Sequence, residues 1–580
     1  MKKLLLSATF ALLSASITAQ SYYVCSSDGT FMEVPLCYNT ELNLENAQAE
    51  LPQINFLNIT SDQQFYVKNF FALPCVDSIT TAKPLTGKEI KIVDNSDITF
   101  DASDESAYDE IVETIITDEL IDESGDFVEN FAYESLVTIT FSESGVTTMP
   151  ATVSGVTFEK KGAHLVINST KGKMRYIVKG KCSDGSLKIY STKKFELMLG
   201  GLTLTNPTGP AINIQSGKSV YFTIGTGTTN TLCDGATYSA PVVTNGEEED
   251  QKGTIFSEGQ LLINGNGTLN VTSLGGHGIC SDDYIRIRSG KINVESLKDG
   301  FHTNDLFRVG RTEKYSPVIN VTSGGDAIDC GKGYVLIEAG KLLLSSEGEG
   351  IKASYDEVVP DTTIIPDITI AGGYVKIATT GIKSSAIKAT GNYTHTGGIV
   401  QAQVSGDGSK VVNIDRNITF SGGKLTGIST GTVALTDTTA AGGIKCVGDL
   451  SIIDGEIAIK CTGDGSKAVN CDATMVVEGG SARLLAEGDD YYDINGYKRA
   501  QGVNCINFIM RGGTLVVNSA MNSFTADQAE MSGGVMQLMN VSNANPGDFP
   551  LELLHRGGCL SFIYKVPILV KIFLNNSETV

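Results

Sequence analysis

One phrase in the chain returns at short intervals. Gly325-Asp326-Ala327-Ile328-Asp329-Cys330 comes back as Gly348-Glu349-Gly350-Ile351-Lys352-Ala353, a step of 23 residues from Ile328 to Ile351. Two short apolar runs, 334–337 and 342–344, lie between them, separated by Gly340. A unit this short cannot bury an apolar face alone, so it must stack on copies of itself. The copies are anchored at Ile279, Phe301, Ile328, Ile351, Ile387, Val412, Ile444, Val469 and Val503, in steps of 22, 27, 23, 36, 25, 32, 25 and 34 residues. The longer steps carry insertions such as 355–365 and 491–498.

The positions around each anchor alternate in character. Two residues after the anchors stand Ser281, Thr303, Cys330, Ala353, Ala389, Ile414, Cys446, Cys471 and Cys505, all small or apolar. Between stand Cys280, His302, Asp329, Lys352, Lys388, Asn413, Lys445, Asn470 and Asn504, mostly polar. Successive side chains of a strand point to opposite faces, so the first column faces a shared interior and the second faces out. Three short strands per unit with glycine corners predict an all-β fold. The expected form is a right-handed parallel β-helix (a solenoid) of roughly 22–36-residue coils, pectate-lyase-like in type.

Three phrases carry a resemblance: Gly276-His277-Gly278-Ile279-Cys280-Ser281-Asp282-Asp283, Lys298-Asp299-Gly300-Phe301-His302-Thr303-Asn304-Asp305 and Gly348-Glu349-Gly350-Ile351-Lys352-Ala353-Ser354. They resemble the repeated phrases of a secreted bacterial family of β-helical carbohydrate-binding domains, first recognised in a clostridial protein that binds cellulose and acidic sugars. The blocks 202–214 and 229–232 look similar to it too, and the resemblance covers roughly residues 90–540. It implies glycan binding and bound calcium.

Formal charge is −22, which argues against nucleic acid as a partner. Residues 1–20 read as a signal peptide: a basic Lys2-Lys3 start, an apolar 4–13 core and a small-residue exit. That core is too short to span a membrane. The expected organisation is a signal at 1–20, an N-terminal segment or cap at 21–88, the β-helix at 89–544 and an atypical tail or cap at 545–580. The expected state is an exported monomer, extracellular, on the cell surface or periplasmic. Of the twelve cysteines, Cys330, Cys446, Cys471 and Cys505 fall in the inward column and read as buried free thiols. Cys25, Cys37 and Cys75 lie outside the repeat and leave room for one bridge. Residues 101–134 are acidic, from Asp104, Glu105, Asp109, Glu110, Glu113, Asp118 and Glu119, and read as a solvated excursion.

Two columns carry candidate chemistry. Asp299, Asp326 and Glu349 stand two residues before their anchors in successive coils, about 4.8 Å apart when stacked. With Asp329 they form the candidate metal set, since calcium takes several oxygen ligands and relieves like charge. The plain reading is that Asp-Gly is turn chemistry. On the outward face His302, Lys352, Lys388 and Lys445 are candidate carbohydrate contacts. Trp is absent, which leaves Tyr334, with Tyr284 and Tyr374, as sugar platforms. Gly276-His277-Gly278, Asp282-Asp283, Arg286-Ile287-Arg288 and Asn304-Asp305 look similar to a polygalacturonase set but stand in the wrong order, too close together for successive coils. The function expected is non-catalytic binding of polysaccharide, acidic or cellulosic, assisted by calcium. The alternatives are a calcium-dependent pectate-lyase-like enzyme with Lys352 as base, and a structural or adhesin stalk.

Overall fold

A computed structural model describes residues 21–35, 41–46, 55–63, 65–72, 75–80, 82–91, 97–101, 103, 106, 124–244, 246–312, 314–355, 363–494, 496–540, 551–553 and 572–573. Residues 1–20, where a signal peptide is expected, Cys37, the seven acids named in 101–134 and most of the tail lie outside them. Among the described residues the secondary structure is strand, with 3-10 turns at Ser124–Asp126 and Val128–Asn130 and no α-helix. The chain divides into two compact units.

The first unit is Asp101–Gly406 with Val412–Arg416. It opens with antiparallel pairs, Ser135–Ser142 with Gly145–Met149 and Val156–Lys161 with Ala163–Ser169. Then the strands fall into three parallel ladders, and each coil gives one strand to each. The first ladder runs Ala163–Ser169, Gly185–Ser191, Ile212–Gln215, Gly253–Ser257, His277–Ser281, Phe301–Thr303, Ile328–Cys330, Ile351–Ala353 and Ser385–Ala389. The second includes Val220–Ile224, Leu261–Gly265, Tyr284–Ile287, Leu306–Val309, Tyr334–Ile337 and Ile368–Ile370. The third includes Thr268–Ser273, Lys291–Ser296, Val318–Ser323, Lys341–Ser346, Tyr374–Thr379 and Ile399–Val404.

The register is the one the phrases predict. Ile279, Phe301, Ile328, Ile351 and Ile387 are successive partners, as are Ser281, Thr303, Cys330, Ala353 and Ala389. All ten are buried. Sequestering each large anchor from water contributes about 1.5–3 kcal/mol, which is why the apolar column fixes the coil. In the third ladder the column Asn270, Asn293, Asn320 is bonded amide to amide at 2.7 Å per step. The outward column departs from expectation at two places. Cys280 and Asp329 are buried rather than exposed. Asp329 is covered because the His302 and Lys352 side chains reach across to it.

The second unit is Met1–Phe100 with Asp407–Val411 and Asn417–Val580. Its parallel strands include Gly442–Cys446, Lys467–Cys471, Gln501–Ser519 and Asn522–Asn540. Ile444, Val469 and Val503 are again register partners, with Cys446 opposite Cys471. Phe65–Ala72 lies antiparallel on Asn522–Asn540, with Val67 opposite Met539. Asn55–Gln63 and Glu41–Asn46 continue that antiparallel meander. Ser21–Ser26, Thr30–Pro35, Val76–Thr80 and Lys88–Ile90 form a separate four-stranded sheet. Cys25 and Cys75 are unbridged thiols there.

Candidate functional site

The Asp-Gly turns build the site. Asp299 Oδ1 accepts the Asp326 backbone N–H at 2.8 Å, and Asp326 Oδ1 accepts the Glu349 N–H at 2.7 Å. Each carboxylate therefore holds the turn of the next coil. Glycine is required beside it: a Cβ on Gly325 or Gly348 would stand 2.3 Å from Asp299 Oδ1 or Asp326 Oδ1. Asp367 uses the same device on Asn392, and in the other unit Asp407 on Thr432 and Asp464 on Asp489. The turn chemistry of Asp-Gly is thus real, and it occupies one oxygen of each carboxylate.

The second oxygen faces the neighbouring column. Asp299 Oδ2 lies 3.0 Å from His277 Nδ1 and 3.2 Å from His302 Nδ1. His302 Nδ1 is also 3.1 Å from Asp329 Oδ2. Asp329 Oδ1 is 3.1 Å from Lys352 Nζ, which stands 3.4 Å from Asp326 Oδ2. Lys388 Nζ donates to Glu349 Oε1 at 2.6 Å. Cationic and anionic groups therefore alternate along the face, where the acidic turns alone suggested a column of like charge. The structure brings together Asp299, Asp326, Asp329, Glu349, His302, Lys352 and Lys388. It does not add Lys445, which pairs with Asp472 in the other unit. His277 was not among the predicted site residues. Its signal was legible: it stands two before its anchor Ile279, the position held by Asp299, Asp326 and Glu349 in the next coils.

Burial and charge set the protonation of this row. Burial raises the Asp299 carboxyl, but the hydrogen bonds of His277 and His302 outweigh it and hold the group well below the usual carboxylate range. Burial opposes charge on His302, yet its hydrogen bonds to Asp299 and Asp329 win and push it up to about 9. Asp326 is pushed up to about 8, first by burial and then by the hydrogen bond and charge of Glu349. Burial also raises Glu349, but the hydrogen bonds of Asp326 and Lys388 prevail and lower it.

The other candidates fall elsewhere. Tyr334 is 44% exposed on the second ladder. Tyr374 is buried on the face it shares with Lys376 and bonds Gln401 at 2.8 Å, so it is no platform for sugar. Tyr284 donates to Asp126 at 2.8 Å. Several of the polygalacturonase-like residues are engaged structurally: Asp282 takes Lys252 at 2.6 Å, and Asp283 takes Gln260. Arg286 and Arg288 meet Asp126 and Glu129 at 3.5 and 2.9 Å, with Phe127 against their guanidinium planes at 5.0 and 3.8 Å. The described end of the acidic excursion is therefore a strap ion-paired to the second ladder rather than a solvated loop. A cleft of about 450 Å³ lies beside it, lined by Tyr133, Arg175, Glu196 and Thr223 among others.

Three comparisons bear on this face. Residues 161–434 match a family described as "Carbohydrate-binding domain-containing protein". A protein of the same description from Acetivibrio thermocellus is 28% identical over 123 residues, which is 21% of this chain. The match spans 42% of that relative's own length. The resemblance carried by the repeated phrases therefore holds: family and relative both bear the carbohydrate-binding description, and the relative is clostridial. A solved structure, "Structure of the polysaccharide lyase-like protein from C. thermocellum, Gadolinium derivative", is 22% identical with a TM-score of 0.35, covering 48% of this chain and 96% of that one.

Proposed function

We propose that the chain binds polysaccharide, acidic or cellulosic, without cleaving it, and that it does so as an exported monomer. The three ladders are read as a right-handed parallel β-helix, and residues 1–20 as the signal that directs export. The observation that carries the reading is the row His302, Asp329, Lys352 and Lys388, in register on successive coils. Strands about 4.8 Å apart repeat a polar contact at every coil, which suits an extended chain of similar sugars. The family description of residues 161–434 supports it.

Calcium belongs to this proposal at the Asp326–Glu349 pair. Two neighbouring carboxyls offer oxygen ligands to a hard cation, which would relieve their like charge. Asp299 and Asp329 are turned instead toward His302. When bound, calcium supplies positive charge to which a uronate carboxylate can attach. Lys352 and Lys388 then trade their carboxylate partners for sugar oxygens.

The test is a pull-down with polygalacturonate and with cellulose, with calcium and with chelator. Polygalacturonate binding should weaken about tenfold or more in chelator and in Asp326→Asn, and stay unchanged in Asp407→Asn. Equal binding and equal melting temperature with calcium and with chelator would remove calcium from the proposal. Release of unsaturated uronate from polygalacturonate, abolished in Lys352→Ala, would establish the lyase instead. Failure to bind any glycan would leave the stalk.

A further inference from the structure

We propose that His277, Asp299 and His302 form a site for a divalent first-row transition metal of the zinc class, clipping two successive coils. The proposal goes beyond the glycan and calcium reading and does not depend on it. Its ligands come from His277–Ser281 and from Phe301–Thr303 with the turn before it.

Three observations support it. The first is spacing. The contacts His277 Nδ1 to Asp299 Oδ2 and Asp299 Oδ2 to His302 Nδ1 measure 3.0 and 3.2 Å, and the three atoms form one compact group. Zinc bonds of about 2.0–2.2 Å to nitrogen and oxygen place neighbouring ligand atoms about 3.0–3.5 Å apart. The second is hydrogen accounting. His277 Nδ1 faces the Asp299 backbone N–H at 3.3 Å and the carboxylate oxygen Asp299 Oδ2 at 3.0 Å, and one nitrogen cannot accept from the first and donate to the second at once. His302 Nδ1 has at most one hydrogen for two carboxylate oxygens, those of Asp299 and Asp329. A cation held by the two Nδ1 atoms and Asp299 Oδ2 resolves both conflicts.

The third is preorganisation. Asp299 Oδ1 is held by the Asp326 N–H, so Oδ2 is offered in a fixed direction. The two imidazoles stack with centroids 4.5 Å apart and planes 24° apart, which holds both Nδ1 atoms toward Asp299. Two imidazoles and one monodentate carboxylate suit zinc and its neighbours, whereas calcium prefers an all-oxygen shell. The side chains are 14–19% exposed, which leaves room for a water or a sugar oxygen to complete the shell.

The test uses the untagged full chain, stripped with chelator and titrated with cobalt(II), then zinc. One equivalent of cobalt should bind with visible ligand-field bands, and zinc should bleach them while excess calcium does not. Affinity should fall at least tenfold in His277→Ala and in His302→Ala, and hold in Asp407→Asn. Bands of equal affinity in the histidine variants, or their loss to calcium as readily as to zinc, would overturn the proposal. So would their absence in the wild type, an outcome that needs no variant to fold. No glycan enters the titration, so its failure is distinct from failure of the carbohydrate reading.

Discussion

His395 shows how a single side chain answers to its surroundings. It is buried on Tyr393–His395, with the Tyr393 hydroxyl 3.0 Å from its Nδ1, and burial holds it neutral with a pKa down to about 4. The unfolded chain takes up that proton near pH 6.5, so the stability this group contributes is complete above 6.5 and drains away as pH falls toward about 4. The shift corresponds to about 3 kcal/mol at the acid end. Denaturant unfolding at a series of pH values should show that loss, and His395→Gln should flatten it. The inward cysteines answer to the same burial. Cys330, Cys446, Cys471 and Cys505 are 0–4% exposed, and burial pushes the Cys330 thiol up to about 12. They should resist alkylation in the native protein and react after unfolding; ready labelling of these four in the native protein would mean a register wrong by one residue. These positions were legible because an in/out column is a period-two signal. His277 was legible by the same count from its anchor, but its contact with Asp299 and His302 was not, because that depends on which oxygen each turn carboxylate has already committed to backbone.

Among elements, the strand Phe65–Ala72 and its meander solve a problem that a parallel ladder creates. The outer edge of Asn522–Asn540 would otherwise present unpaired N–H and C=O groups, a template for another chain. The antiparallel pairing from Val67–Met539 to Phe71–Val535 covers its later part, and Leu551–Leu553 pairs with Phe524–Ala526. We propose that the meander Phe65–Ala72, Asn55–Gln63 and Glu41–Asn46 serves as a cap on this edge. A chain lacking 41–72 should self-associate by size-exclusion chromatography and bind an amyloid dye, while the full chain does neither. Nothing in the sequence of that segment announced its partner. It lacks the coil phrase, and pairing across hundreds of residues leaves no local period. The strap around Phe127 was hidden for a related reason, since its acidic residues read as loop until the arginines they meet are brought to one face.

At the scale of the whole molecule, the parallel all-β architecture was readable from nine anchors, whereas the ion-paired face was readable only as two columns whose interaction had to be seen. An acidic chain of charge −22 keeps its lysines and histidines of this face tied to carboxylates, so a glycan or a metal must compete for them. The pairing of Val67 with Met539 has one further consequence, which concerns time. The strand that closes the last coil is made before any coil exists, and its partner is made some 470 residues later. Coils of short range can form as the chain emerges, but this closure waits for a contact spanning most of the sequence and is correspondingly slow. Synthesis that stalls before residue 522 therefore leaves an early strand without its mate, and the cell meets an unfinished molecule whose loose strand is the one most apt to find a neighbour's.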